Sequence, residues 1–203
     1  MASTKKTATD GEAAISIKRI ERPVIALDIK GTAPLIMHRW SEKARKAMLD
    51  AMQGRKSPKE AKDPEAEFEA AAYRFEDGSY GFPAVAFKSA IVGAGRFFDG
   101  VTMTEIRQAV HVLGEGEDQL VRLRIDGPPI MREDTVRVNK GGTDLRYRPQ
   151  FDSWSATLLV QYVPTLINEE SVIALTDAAG MVGVGEWRPE KSGTFGSFEL
   201  VAE

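Results

Sequence analysis

Alternating apolar and polar positions predict a series of β-strands along the chain. Residues 154–162 give the clearest alternation, with Leu158, Val160 and Tyr162 on one face. Trp154, at the start of this strand, is predicted to pack in the core. The strands predicted from such patterns cover residues 15–20, 24–30, 120–125, 130–138, 145–149, 154–162 and 194–201. Asp77 and Gly78 also indicate a small hairpin between 73–75 and 80–82.

Apolar residues spaced three and four apart predict helices between these strands. Ser41 is a good N-cap for a helix ending near Gly54, and Asn168 is a good N-cap for one ending at Gly180. Two further helices are predicted over 83–98 and 104–112. The first helix carries an apolar face formed by Ala44, Ala47, Met48, Ala51 and Met52, and the second a core face formed by Ala84, Phe87, Ile91, Ala94 and Phe98.

The order of these elements favours an α+β fold. Strands and helices are interleaved but often neighbour one another as hairpins, which is typical of an antiparallel sheet with helices on one face. The arrangement is close to a ferredoxin-like split βαβ unit. We predict one domain over 15–203, preceded by a polar N-terminal tail, 1–14, expected to be disordered.

Composition excludes several classes of site. The chain has 203 residues, no cysteine and only two histidines, so it offers neither a disulfide nor a thiolate metal site, and a histidine-built metal site is not expected. We predict no cofactor. No apolar run is long enough to cross a membrane, and the N-terminus lacks an apolar signal region. A cytoplasmic protein without membrane association is therefore expected.

Charge is unevenly distributed, although the formal net charge is only −3. The stretch 39–62 has eight cations and three anions, a local charge of +5, so the rest of the chain carries −8. Arg39 and Arg45 lie in this stretch, beside Trp40. A charge run of this kind is most often a solvated face. It is also the pattern expected of a surface that contacts a phosphate backbone. Residues 55–66, which overlap the end of this stretch, look like a polar excursion.

A glycine-rich loop precedes the last predicted strand. Gly183, Gly185, Gly193 and Gly196 alternate with Trp187, Arg188 and Lys191. Glycine lets a backbone lie close against a ligand, and the cations favour a polyanion. The alternative is a glycine-rich turn that only feeds the final strand. A second cationic segment spans 130–148 and includes Lys140, Arg146 and Arg148.

Three stretches resemble the RAMP superfamily, the ferredoxin-like subunits that form the backbone of CRISPR effector complexes. FPAVAFKSAIVGAGR (82–96) resembles the family helix with proline, small residues and lysine. GMVGVGEWRPEKSGTFGSFEL (180–200) resembles its C-terminal glycine-rich loop, and GTAPLIMHRW (31–40) the segment after its first strand. The compact size is similar to that of a phage-encoded stand-alone relative.

This resemblance implies a modified RNA-recognition fold that oligomerises along single-stranded RNA. Lys88, Gly183, Gly185 and Arg188 would contact phosphates. The basic insertion 41–66 and the hairpin-like projection 130–148 would take the places of finger-like and thumb-like projections. The expected nucleic-acid-binding residues are Arg39, Trp40, Arg45, Lys88, Arg96, Lys140, Arg146, Arg148, Gly183, Gly185, Trp187, Arg188 and Lys191, with Tyr147 a further surface for base stacking.

We therefore expect a non-catalytic, homo-oligomeric protein that binds single-stranded nucleic acid, with RNA favoured over DNA. Some RAMP subunits cleave RNA with an aspartate after the first strand, but here no aspartate follows that strand before Asp50. Neither His38 with Glu42 nor His111 with Glu105 has a recognised catalytic spacing. Two alternatives remain open at this level: a phage single-strand annealing or ssDNA-binding recombination protein, and a structural or assembly protein without nucleic-acid affinity.

Overall fold

The computed structural model describes residues 17–55, 61–138 and 142–201. Within them lie nine strands: β1 Val24–Gly31, β2 Leu35–Ile36, β3 Gly81–Pro83, β4 Val110–Leu113, β5 Leu120–Ile125, β6 Ile130–Val138, β7 Gly142–Phe151, β8 Trp154–Tyr162 and β9 Phe198–Leu200. The same residues form five α-helices: α1 Glu42–Met52, α2 Pro64–Ala70, α3 Ala84–Ala94, α4 Met103–Ala109 and α5 Glu169–Val182. The tail 1–14, Lys140 and the middle of the basic insertion lie outside the described residues.

The main sheet is built around β8. This strand pairs with β1 along one edge, from Gln161 opposite Val24 to Ser155 opposite Lys30. Its other edge pairs with β5 and β4, and β9 pairs with the far side of β1. All these pairings are antiparallel. With α3 before β4 and α5 between β8 and β9, the order β4/β5–β8–β1–β9 is that of a ferredoxin-like fold, as predicted.

The core lies between one face of this sheet and helices α3 and α5. Phe87 and Ile91 of α3, Val172 of α5 and Leu158 of β8 are fully buried. Gly180 allows α5 to lie directly on β9, because a Cβ there would come within 1.6 Å of the Phe198 carbonyl oxygen. Trp154 is buried as predicted, and its indole nitrogen donates to the Ala33 carbonyl oxygen at 2.9 Å.

A second, three-stranded sheet has the order β2–β7–β6. Strands β6 and β7 form a long hairpin, paired from Ile130 opposite Gln150 to Val138 opposite Gly142. This hairpin is inserted between β5 and β8 of the main sheet, and helix α2 packs against β7. These two strands cover most of the segment 130–148 that was predicted as a hairpin-like projection.

Several predicted boundaries are wrong. Residues 17–20 are not a strand; they are exposed and precede β1 without a pairing partner among the described residues. The helix predicted to reach Val112 ends at Ala109, because Val110–Leu113 pair with β8 instead. Helix α3 ends at Ala94 and continues as a 3-10 turn, which leaves Phe98 41% exposed rather than in the core. Helix α5 continues past Gly180 to Val182, where Gly183, with φ 75°, ends it.

Helix α1 begins with the predicted cap, since the Ser41 hydroxyl oxygen accepts from the Ala44 amide at 3.2 Å. None of its residues is buried. Ala44, Ala47 and Met48 of its apolar face border an open cleft, and Met52 is 81% exposed. The main core is covered by α3 and α5 instead.

Candidate nucleic-acid interface

The glycine-rich loop is packed against β2. The Glu186 amide donates to the Ile36 carbonyl oxygen at 3.0 Å, and the Gly196 amide donates to Pro34 at 2.8 Å. A Cβ on Gly185 would come within 2.7 Å of the Ile36 carbonyl oxygen, and one on Gly196 within 1.8 Å of Val184. These glycines therefore let the loop lie close against the protein's own backbone. This agrees with the alternative in which the glycine-rich turn only feeds the final strand.

A buried ion-pair network joins this loop to the β6–β7 hairpin. Arg148 of β7 has no exposed surface. Its guanidinium donates to the Asp134 carboxylate at 2.8 Å and to the Glu186 carboxylate at 3.1 Å, and it lies 6.0 Å from the Trp187 ring centre. The prediction that Arg148 contacts nucleic acid is wrong for this structure, because its charge is enclosed and neutralised by carboxylates.

Asp134 is held ionised by its partners. Burial alone raises the pKa of Asp134, but hydrogen bonds and positive charge from Arg132 and Arg148 outweigh burial and hold this pKa below its ordinary 3.8. Asp134 is 6% exposed, and Arg132 donates to its second oxygen at 2.9 Å. The charged Asp134 therefore joins the middle of the hairpin, through Arg148, to Glu186 of the glycine-rich loop.

His38 lies where the loop, the hairpin and the segment after β2 meet. Burial lowers the pKa of His38, and the charge of Arg146 lowers it further. The ring is therefore neutral at pH 7, and its Nε2 lies 3.3 Å from an Arg146 guanidinium nitrogen. Because Arg146 can only donate, Nε2 accepts and Nδ1 carries the proton. That buried Nδ1 has no hydrogen-bond partner among the described residues.

A cleft of about 470 Å³ separates α1 from β7, and we name it the α1–β7 cleft. Trp40 stands at its rim, 51% exposed. Arg39 and Arg146 line the cleft, as do Lys43 and Lys62, against only two acidic side chains. The full lining is His38, Arg39, Trp40, Ser41, Lys43, Ala44, Ala47, Met48, Lys62, Glu67, Ala71, Asp144, Arg146 and Tyr147.

Cations that line the α1–β7 cleft are held in surface ion pairs. Lys62 lies 2.7 Å from Asp144, Arg146 lies 3.8 Å from the same carboxylate, and Arg39 lies 3.3 Å from Asp118. Arg45 and Lys46 are exposed on α1 outside this lining and form no ion pair with the described residues. Such surface pairs are weak and exchange readily for phosphate contacts. The cleft thus combines an exposed indole with mobile positive charge.

A second cleft, of about 300 Å³, lies between α3 and the glycine-rich loop, and we name it the α3–loop cleft. His38 lines both clefts, so they adjoin. The rest of its lining is Tyr73, Phe82, Pro83, Val85, Ala86, Ser89, Ala90, Gly183, Val184, Gly185, Glu186, Arg188 and Glu190.

The structure divides the predicted binding residues into separate groups. Arg39, Trp40 and Arg146 come together at the α1–β7 cleft. Arg96 and Arg188 meet at Glu190, at 3.5 and 3.0 Å, and Arg188 also donates to the Gly185 carbonyl oxygen. Lys191 and Trp187 are exposed in the loop.

Lys88 is not brought together with the glycine-rich loop. On α3, Gly93 faces Val182 of α5. At 100° per residue, Lys88 is about 140° from Gly93, and it is not among the residues that line the α3–loop cleft. A single phosphate site formed by Lys88 and Arg188 is therefore not the arrangement observed.

Three residues of these clefts, Tyr73, Glu186 and Lys62, escaped the sequence analysis as site residues, and so did Asp134 of the buried network. Asp134 and Glu186 are 14 and 38 positions from Arg148, and no spacing rule connects such residues. The alternation in β6 is the one sequence signal for Asp134, since it falls between two exposed positions.

The described residues contain no group of three or more histidine, aspartate or glutamate side chains that could hold a metal ion. A search of the same residues for a helix long and apolar enough to cross a membrane also finds none.

Comparisons with known proteins find likeness in structure but not in sequence. No protein-family model matches the chain, and no curated protein matches it. Among solved structures, Cmr6 from Pyrococcus furiosus is 11% identical over 90% of this chain and 100% of its own, with a TM-score of 0.47. A chain of the type III-B Cmr-β complex bound to cognate target RNA is 10% identical over 89% of this chain and 59% of its own, with a TM-score of 0.50. A Cas6 product complex is 12% identical over 87% of this chain and 51% of its own, with a TM-score of 0.27.

The likeness to the Cmr-β chain bears on the fold alone. It supports the ferredoxin-like fold that the strand order described above defines. The chain spans about 59% of the length of that neighbour.

Replacing Asp134 with alanine tests the buried network. Asp134→Ala leaves Arg148 buried beside only the half-exposed Glu186, and we expect the free energy of unfolding to fall by about 3–5 kcal/mol in urea denaturation at pH 7. The matched control is Asp144→Ala, whose partly exposed pairs contribute at most about 1 kcal/mol.

The same variant predicts a pH dependence. A carboxyl group whose pKa is lowered by folding stabilises the protein above its ordinary pKa of 3.8, and this contribution disappears as the pH falls through the lowered value. The stability difference between wild type and Asp134→Ala should therefore be constant from pH 7 to 5 and shrink below pH 4. Equal losses for Asp134→Ala and Asp144→Ala would contradict the network.

Proposed function

We propose that this protein binds single-stranded RNA without cleaving it and that the strand lies in the α1–β7 cleft. The observation that carries the proposal is the exposed Trp40 at the rim of a cleft lined by Arg39, Lys43, Lys62 and Arg146. Affinity for a strand comes mainly from lysine and arginine contacts to phosphates, and an exposed aromatic ring adds base stacking.

RNA is favoured over DNA by one consideration. The fold resembles that of a chain from a complex bound to target RNA, with a TM-score of 0.50. The chemistry of the cleft accepts either backbone, so annealing of single-stranded DNA becomes an outcome of the binding test below.

The absence of catalysis is part of the proposal. Glu105 is occupied as a helix cap, accepting from the Thr102 amide at 2.8 Å and from its hydroxyl at 2.7 Å. His38 faces an arginine, which cannot accept a proton from it. Bound RNA should therefore be recovered at full length.

Oligomerisation is supported by two separate apolar surfaces. On α1, Leu49 and Met52 are 54% and 81% exposed. Where β8 leads into α5, a groove of about 530 Å³ lies beside Phe98 and Leu166, which are 41% and 59% exposed. Because the two surfaces differ, a contact between them would be head to tail and would repeat along a strand.

Binding is tested with Trp40→Ala and with the double variant Lys43→Ala/Arg146→Ala, which removes two cations that line the cleft. Fluorescence anisotropy with a labelled oligouridine should show that Trp40→Ala weakens affinity by about 1–3 kcal/mol, the usual worth of one stacked base. The double variant should flatten the slope of log K against log salt by up to about 1.4, because each phosphate contact on a single strand contributes about 0.7.

Arg107→Ala is the matched control, since Arg107 is exposed on α4, away from both clefts. The site assignment fails if Arg107→Ala weakens binding as much as the cleft variants do. An oligodeoxythymidine bound more tightly than oligouridine would favour the annealing alternative. A wild-type protein that binds neither strand would refute the proposed function.

Head-to-tail assembly is tested by mixing two variants. Leu49→Asp/Met52→Asp disables the α1 surface, and Phe98→Asp/Leu166→Asp disables the groove. Each variant should be monomeric in analytical ultracentrifugation, whereas a mixture of the two should give dimers, because one intact surface of each kind remains.

Met181→Asp is the control for that experiment, since Met181 is 71% exposed on α5 but belongs to neither surface. It should assemble like wild type. A mixture that stays monomeric while wild type assembles would show that copies meet elsewhere. A wild type that stays monomeric with and without RNA would refute oligomerisation.

A further inference from the structure

The α3–loop cleft has the walls of a small-molecule site. One side is apolar, formed by Phe82, Pro83, Val85 and Ala86, and the other is the backbone from Gly183 to Gly185. Phe82 is fixed edge-to-face against Tyr73, with ring centres 5.8 Å apart. At about 300 Å³ the cleft is at the lower end of the range usual for ligand pockets, so it suits a single nucleoside rather than a larger ligand.

Three polar groups from different parts of the chain converge on this cleft. They are Tyr73 after α2, His38 after β2, and Glu186 in the glycine-rich loop. All three line the same cleft, and after burial the negative charge of Glu186 also contributes to the pKa of both His38 and Tyr73. Burial is the main reason that the pKa of Tyr73 is raised, which keeps its hydroxyl protonated.

Glu186 is held in place yet keeps acceptor capacity. Its backbone amide donates to Ile36, and one carboxylate oxygen accepts from the buried Arg148 at 3.1 Å. The side chain is still 40% exposed. The other acid of the cleft, Glu190, has both oxygens engaged, one near Arg96 and the other with Arg188. Glu186 therefore supplies the oriented acceptor of the cleft.

A carboxylate accepts hydrogen bonds and cannot donate them. Among the four RNA bases, only guanine presents two adjacent N–H donors, N1–H and the N2 amino group, on its Watson–Crick edge. Adenine and cytosine place a ring-nitrogen lone pair beside their amino group, and uracil flanks its single N–H with two carbonyl oxygens. Each of these three would turn an acceptor toward the carboxylate, which is repulsive.

We propose that the α3–loop cleft holds a guanine base turned out of a strand lying in the adjoining α1–β7 cleft. Glu186 accepts from N1–H and the N2 amino group, and the apolar wall of α3 covers the ring. His38 borders both clefts, so it lies where the base would pass from one cleft into the other. This inference rests on the proposed function, but it concerns which base is selected rather than whether a strand binds.

The test uses labelled oligouridines with one central position replaced by guanine, inosine, adenine or cytosine. We expect the guanine oligomer to bind about tenfold more tightly than the adenine oligomer, as is typical for a two-bond base contact. Inosine, which lacks the N2 amino group, should fall between them. Glu186→Gln should reduce the guanine-to-adenine ratio toward one, with oligouridine measured in the same variant so that a general loss of affinity cancels.

Glu190→Gln is the matched control, because Glu190 lines the same cleft with both oxygens engaged, and it should retain the guanine preference. Equal binding of all four oligomers by wild type would overturn the inference while leaving strand binding intact. So would an unchanged ratio in Glu186→Gln.

If no oligomer binds, the proposed function fails and the cleft is tested directly with GMP and AMP by NMR. Amide shifts at Ala86 and Ser89 that are larger for GMP than for AMP would support a guanine site. Equal shifts, or none, would overturn it.

Discussion

The ion pairing of the buried Arg148 guanidinium is the interaction that holds the region around the two clefts together. Its partners Asp134 and Glu186 belong to the hairpin and the glycine-rich loop, and that loop is in turn bonded to β2. Burying a charge is costly unless it is paired, so the hairpin and loop have one arrangement in which Arg148 is compensated. The α1–β7 cleft and the α3–loop cleft are the spaces left on either side of this junction.

The ferredoxin-like part of the chain was readable from sequence because its pattern is local. Strand β8 alternates over nine residues, and its predicted bounds are those observed, as are those of β5 and β6. Capping by Ser41 and Asn168 was also evident. Local patterns failed where pairing between distant strands decides the structure. The helix was predicted to reach Val112, but Val110 to Leu113 pair with β8. Residues 17–20 look like a strand but have no pairing partner among the described residues.

The site was harder to predict, because side-chain charge alone does not reveal burial. Arg146 and Arg148 are two residues apart on one strand, yet Arg146 lines the α1–β7 cleft while Arg148 is enclosed by two acids. Similarly, the glycines of the loop looked like a ligand-binding backbone, but their close contacts are with Ile36, Trp187 and Val184. Such distinctions depend on long-range packing. Trp40 was selected as a candidate because it stands beside Arg39 in the cationic stretch 39–62.

The proposed function depends on the position of α1. A helix with no buried residue contributes little to the core. The conformational entropy lost when this helix is ordered must then be offset by contacts at its surfaces. One side borders the α1–β7 cleft with Ala44, Ala47 and Met48, and the outer side presents Leu49 and Met52 with Arg45 and Lys46. A strand held on one side and a neighbouring copy on the other would use both.

Ultraviolet cross-linking of a bound oligouridine, followed by mass spectrometry of the peptides, tests the central claim most directly. We expect adducts on Trp40 and Tyr147, which lie on the two walls of the α1–β7 cleft. Adducts confined to the open face of the main sheet, around Thr157 and Leu159, would contradict it and place the strand on the opposite side of the molecule from the one inferred here.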